Sequence, residues 1–302
     1  MILISLAIAI LTFITIMLVS GNNLSVCTGP AIGSRILSKN FGILLGAVGF
    51  TIGLITQGSV MEKSVNILLP NLTAVIQSEA LLVTILIFVI ADFIRVPLSY
   101  TMSLTGLLAG LSIAGGTSTN QGFLIQTIVM WAVAPLVTVI FVFFVLKIFH
   151  SNFTQDVWRR LKIYKIMIII LSFSTSYVLG ANTLGLIVAT GGINIITLIS
   201  AVIAIFLGSF YLSSGEIKRV SQELFLMRYP NTTVTLFSST VLVEIATVFR
   251  IPLSNTQTLS AAVFGAGISY KTKLMSSKPF LKIVAGWIIA SLLSLVIGII
   301  IG

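Results

Sequence analysis

Charge is what this chain has least of: only 8% of its 302 residues are Asp, Glu, Lys or Arg. A soluble domain carries about a quarter, so a water-soluble globular fold is excluded. The one cysteine, Cys27, cannot close an intrachain disulfide, and the one histidine, His150, has no ligand partner at metal-binding spacing. No nucleophile elbow and no phosphate-cradling glycine loop occurs, which removes the common enzyme signatures. Disorder is excluded as well, because apolar runs fill almost every stretch.

What is there is hydrocarbon. Hydrophobic residues make up 57% of the chain and the mean hydropathy is +1.16. Runs such as 167–171 and 288–301 do not alternate in polarity, so they read as helices and not as barrel strands. At roughly 20 residues per span, the length accommodates about ten spans or half-spans with short loops. The net charge of +10 sits in loops between apolar runs. That pattern orients a membrane protein and does not point to nucleic acid. The first run, 2–19, lacks a basic leader and a small-residue cleavage site, and reads as a retained span.

The chain repeats itself. Ser20-Gly21-Asn22-Asn23-Leu24 resembles Gly180-Ala181-Asn182-Thr183-Leu184, and Arg95-Val96-Pro97-Leu98-Ser99-Tyr100-Thr101 returns as Arg250-Ile251-Pro252-Leu253-Ser254-Asn255-Thr256. Gly110 and Gly265 follow the two prolines at equal distance, and Trp131 and Trp287 each open a late apolar span. The offsets are 160, 155, 155 and 156 residues, in one order. We expect a first repeat over 1–150, a cytoplasmic linker over 151–162 and a second repeat over 163–302. Each repeat has about three spans plus a helical hairpin. The helix carrying the asparagine phrase (3–34, 164–190) is expected to be interrupted there.

Equivalent loops carry opposite charge bias. Arg35 and Lys39 occupy 35–39 while 190–196 is uncharged; Lys271, Lys273, Lys278 and Lys282 occupy 271–282 while 115–122 is uncharged. Under the positive-inside rule the two repeats are therefore inverted, with both termini external. Threaded so, 14 of the 17 basic residues fall on the cytoplasmic side; Lys63 is outside, and Arg95 and Arg250 lie within apolar pairs. Inverted repeats with broken helices at a midplane site are a secondary-transporter architecture.

Each Pro-Leu-Ser phrase breaks a helix and restarts it with free backbone N–H groups, which attract anions. Thr101 or Ser103, and Thr256 or Thr258, are candidate caps. Arg95 and Arg250, costly in hydrocarbon unless paired or hydrated, offer a guanidinium fork to an oxyanion, or else snorkel or pair locally. Asp92 and Glu244 are the carboxylates deepest in apolar runs: proton-coupling groups, or counter-ions to the arginines. Asn22, Asn23 and Asn182 can present amides to an anion or serve as interhelical glue.

These motif islands resemble the inorganic phosphate transporter (PiT) family, which carries a Gly-Ala-Asn-Asp phrase and a Pro-[Ile/Val]-Ser-Thr-Thr-His phrase once per inverted repeat. Gly180-Ala181-Asn182 matches the first phrase, and Asn22 stands in its other copy. Pro97-Leu98-Ser99-Tyr100-Thr101-Met102 and Pro252-Leu253-Ser254-Asn255-Thr256-Gln257 resemble the hairpin tips. The family's aspartates are replaced by Asn23 and Thr183, its second asparagines by Val26 and Leu186, and its histidines by Met102 and Gln257. In the family these groups are implied to bind sodium and phosphate. Losing two carboxylates weakens any sodium site, since hard cations prefer charged oxygen.

The resemblance implies a secondary active permease of an inorganic oxyanion in the plasma membrane, with phosphate as default and sulfate as competitor. Coupling to protons is favoured over sodium, and no metal or cofactor is expected. The substrate-binding candidates are Asn22, Asn23, Asn182, Thr183, Ser99, Thr101, Ser254, Thr256, Arg95 and Arg250; the coupling candidates are Asp92 and Glu244. The partners are the oxyanion and membrane lipid, with a homo-oligomer left open. A non-transporting scaffold and an anion channel are the alternatives from other classes.

Overall fold

A computed structural model describes residues 2–70, 72–93, 99–116, 120–151, 157–213, 229–270 and 278–302. Arg95 and the side chain of Asp92 lie outside the described residues, as do residues 214–228 and 271–277.

The described chain is helical. Its elements are α1 (Ile2–Gly33), α2 (Lys39–Gln57), α3 (Val60–Leu68), α4 (Ala74–Phe93), α5 (Tyr100–Ala114) and α6 (Gln121–Ser151). Then come α7 (Val157–Leu179), a π turn (Gly180–Leu184), α8 (Gly185–Gly191), α9 (Ile195–Tyr211), α10 (Tyr229–Val248), α11 (Asn255–Tyr270) and α12 (Lys278–Ile301). Among the described residues, five stretches are long and apolar enough to cross a membrane: Leu3–Gly33, Lys39–Gln57, Gln121–Ile148, Trp158–Gly191 and Phe280–Ile301. Their outward faces carry exposed Ile125, Leu136, Ile140, Ile289 and Leu292, a surface suited to hydrocarbon and not to water. The molecule is a multi-pass membrane protein.

One expectation is corrected at α1. This helix runs unbroken through Asn22 and Asn23. Its hydroxyls bond the preceding turn, Ser25 Oγ to the Asn22 carbonyl at 2.7 Å and Thr28 Oγ1 to the Leu24 carbonyl at 3.1 Å, and leave the backbone ladder in place. The matching helix is interrupted as expected, but mildly: a single π turn at Gly-Ala-Asn-Thr-Leu, with helix on both sides. Gly180 allows it to press on α2, since any Cβ there would overlap the Phe50 carbonyl. π turns of this kind recur at functional sites.

Helix pairs are exchanged between the two halves of the chain. α5 lies along α12 and α11 along α6, and α1 lies on α9 and α2 on α7; within each half, α4 lies on α1 and α10 on α7. The two repeated glycines do the same job in each half. A Cβ on Gly110 would stand 2.9 Å from the Gly298 Cα of α12, and one on Gly265 would stand 2.7 Å from the Val139 carbonyl oxygen of α6. Close backbone approach of this sort is how helices associate in lipid, where no hydrophobic force separates protein from solvent. The π turn contributes Leu184 to a core that also holds Ile16, Leu24, Phe50, Leu104, Leu108 and Ile187.

Candidate functional site

The two Pro-Leu-Ser phrases cap their helices identically. Ser99 Oγ accepts from the Met102 N–H at 3.3 Å, and Ser254 Oγ accepts from the Gln257 N–H at 3.4 Å. The caps are therefore the serines of the phrase, 155 residues apart, and not Thr101, Ser103, Thr256 or Thr258. The threonines instead point their hydroxyls sideways. Thr256 Oγ1 meets Ser254 Oγ at 2.7 Å. Thr101 Oγ1 meets Thr183 Oγ1 of the π turn at 3.1 Å, and both residues are buried.

Asn182, the neighbour of Thr183, holds the second break. Its amide donates to the Ile251 carbonyl at 3.1 Å and to Thr247 Oγ1 at 2.9 Å, and its carbonyl accepts from the Leu253 N–H at 3.2 Å. The Pro252 break removes these backbone groups from the helix ladder, and one side chain satisfies them. Consecutive residues of the π turn thus engage the second helix break and the start of α5. Asn182 binds the α10–α11 break and Thr183 the start of α5. Asn182 is wholly buried with both ends of its amide used, which makes it the pin of the site.

Two further residues hold the second break. Trp131 Nε1 of α6 donates to the Pro252 carbonyl at 2.8 Å, and Gln257 Nε2 donates to the Trp131 carbonyl at 2.7 Å. Asn255 donates to Cys27 Sγ of α1 at 3.5 Å and accepts from Ser239 Oγ at 2.7 Å. The sequence marked Trp131 as a repeat landmark in a span that resembles the family, and Gln257 as a departure from the family's histidine.

Arg250 is not embedded. It ends α10 in the left-handed region, φ 63°, with its N–H on the Thr247 carbonyl and the Ile251 N–H on the Ala246 carbonyl. That is a Schellman turn with arginine where glycine is usual. Its carbonyl accepts from Ser64 Oγ of α3, while its side chain is exposed and makes no hydrogen bond or ion pair among the described residues. The structure therefore does not bring the Arg250 guanidinium onto the hydroxyls. Asn23 is buried and Asn22 half-buried, neither amide having a partner among the described residues. Glu244 of α10 accepts from Gln57 Nε2 of α2 at 2.9 Å. Gln57 was missed by the sequence reading; its signal was a lone amide closing an apolar run.

The phosphate transporter family matches this chain over residues 19–179 and 152–298. The chain belongs to that family. It is an anion transporter and not an enzyme. A Methanocaldococcus jannaschii protein with a provisional phosphate permease name is 23% identical over 292 residues, covering 97% of this chain and 95% of its own. The sulfate permease CysP of Bacillus subtilis is 24% identical over 290 residues, covering 89% of this chain and 79% of its own. A solved structure titled "The sodium-dependent phosphate transporter" superposes with a TM-score of 0.86 at 17% identity, over 99% of this chain and 98% of that one. At that identity the likeness is one of fold.

Proposed function

We propose that this family member is a secondary active oxyanion permease built as two inverted repeats, 1–150 and 163–302, with both termini external. The observation that carries the reading is the convergence at the π turn, where Asn182 fastens one helix break and Thr183 touches Thr101 at the other. Ser99, Thr101, Ser254 and Thr256 supply hydroxyls at the N-termini of α5 and α11. Asn22, Asn23 and Thr183 line the approach from the long helices. Hydroxyls and helix N-termini donate to oxyanion oxygens without bringing counter-charge into the membrane. Arg250 contributes from the turn, as a positive field at the mouth and not as a ligand inside. The exchanged helix pairing supports the repeat, because inverted halves pack reciprocally.

Phosphate is the default substrate, in keeping with the family. Sulfate is the competing one, favoured by a relative named as a sulfate permease. The transporter does not use the sodium sites implied for the PiT family, because Asn23 and Thr183 stand where that family has carboxylates. A proton is the coupling ion. Alternating access comes from moving one set of exchanged helices against the other about the fixed π turn.

The test is radiolabelled phosphate uptake into proteoliposomes, with sulfate and other oxyanions as competitors and sodium present or absent. Saturable, sodium-independent counterflow is the expected result. Strict sodium dependence refutes the coupling reading, absence of flux favours a scaffold, and non-saturable flux favours a channel.

A further inference from the structure

Gln57 and Glu244 each leave one buried oxygen unsatisfied. Gln57 Nε2 donates to Glu244 Oε1 at 2.9 Å. Gln57 Oε1 and Glu244 Oε2 are both shut from solvent and have no partner among the described residues. With Glu244 as a carboxylate, only Nε2 of the amide can donate to it. Two neighbouring acceptors with no donor between them are an arrangement proteins avoid in apolar surroundings.

A single hydrogen resolves both. A carboxylic acid facing a carboxamide closes a ring of two hydrogen bonds, amide N–H to acid C=O and acid O–H to amide C=O. With the proton on Oε2, every polar atom of the pair is satisfied. Without it, two orphaned oxygens and a negative charge remain in the bundle.

We propose that Glu244 and Gln57 form a proton-binding site, holding a hydrogen between Glu244 Oε2 and Gln57 Oε1 in this conformation. The proposal rests on the permease reading above and specifies where its coupling ion is carried. Binding takes one proton from the aqueous side and turns a carboxylate into a neutral acid; release returns it when the pair separates.

Charge from elsewhere does not alter the assignment. Glu244 makes no ion pair among the described residues. α7 and α10 run parallel, in register from the Thr175–Thr240 hydroxyl contact to the Asn182–Thr247 bond. Arg159, Arg160, Lys162 and Lys165 therefore lie at least about 20 Å down α7 from the pair. Lys147 is similarly remote along α6. The nearer ionisable groups are Tyr177, whose hydroxyl meets Thr56 Oγ1 at 3.0 Å, Glu62 and Lys63 of α3, and Arg250. Within the described residues α1, α11 and the π turn present no carboxylate or basic group toward α10.

The location suits coupling. Gln57 ends α2 and Glu244 lies one turn before Thr247, the hydroxyl bonded by Asn182. Any shift of α10 against α2 opens the pair and strains the Asn182 pin together. Proton release and opening of the α10–α11 break are thereby one event.

Two measurements decide it. Infrared spectra of the purified full chain at neutral pH should show a protonated-carboxyl carbonyl band that is lost in Glu244→Gln. In Gln57→Leu the band should shift in frequency. A wild-type minus Glu244→Gln spectrum containing only ionised carboxylate overturns the proposal. In proteoliposomes, an acid-outside gradient should stimulate phosphate uptake by wild type, and Glu244→Gln should lose that stimulation; stimulation that persists in Glu244→Gln also overturns it. If wild type moves no phosphate, the permease reading fails, and the infrared result still decides the proton site.

Discussion

The hydroxyls of Thr101 and Thr183 lie 3.1 Å apart although 82 residues separate them in the chain. They belong to opposite halves and to different motifs, a hairpin tip and an asparagine phrase. A double-mutant cycle on thermal unfolding should expose the bond. Thr101→Val and Thr183→Val each leave one buried hydroxyl unpaired, at about 1 kcal/mol or more, and the double variant should cost less than the sum. Strict additivity would mean that the contact carries no energy.

Asn182 satisfies the Ile251 carbonyl and the Leu253 N–H that the proline break exposes. Asn182→Leu orphans both, while the Thr247 hydroxyl keeps its bond to the Val243 carbonyl at 2.7 Å. The cost should be about 3 kcal/mol, at 1–3 kcal/mol per buried group. The readout is scanning fluorimetry in detergent. Asn22→Leu, in an unbroken helix with no partner for its amide, should cost far less. Equal losses would show that Asn182 is not a pin.

Arg250 occupies a left-handed backbone position that an L-residue fills at about 1–2 kcal/mol. Arg250→Gly should therefore stabilise the chain, by up to about 1 kcal/mol, while lowering phosphate affinity through lost positive field. Arg250→Gln should lower affinity without the gain in stability. A stabilised Arg250→Gly protein with unchanged affinity would remove the arginine from the functional account.

Inversion of the halves is testable by sided labelling, which the single cysteine simplifies. In a Cys27→Ser background, Gln121→Cys and Lys282→Cys should react with an impermeant thiol reagent from opposite sides of the membrane. Reaction from one side would dissolve the inverted repeat.

Much of this architecture was legible from residues alone, for definite reasons. Composition forces a membrane solvent, and hydrocarbon admits few folds. The prolines of Arg-x-Pro-Leu-Ser-x-Thr break helices wherever they fall, so the α10–α11 break and the starts of α5 and α11 were readable. The Asn182 helix break was readable because Gly180 precedes it. Its copy at Asn22 was misread, because the same phrase with Ser20 and Gly21 sustains an ordinary helix when its hydroxyls bond back to the turn. Cap identity was missed by two residues, since Ser99 and Thr101 are equally good acceptors on paper and only the restart point of the helix decides between them. The Gln57–Glu244 pair spans 187 residues and leaves no local pattern. Arg250 looked buried because its neighbours are apolar, yet a Schellman turn places it on the surface.

The central claim is that hydroxyls at the two helix breaks hold the oxyanion. Saturation binding of radiolabelled phosphate to the purified protein tests it, comparing wild type with the isosteric variants Thr101→Val and Thr256→Val. Each should weaken binding about five- to tenfold, as expected when one hydrogen bond worth roughly 1–1.5 kcal/mol is lost, with sulfate competing for the same site. Wild-type affinity in both variants would contradict the account and move the site away from the hairpin tips.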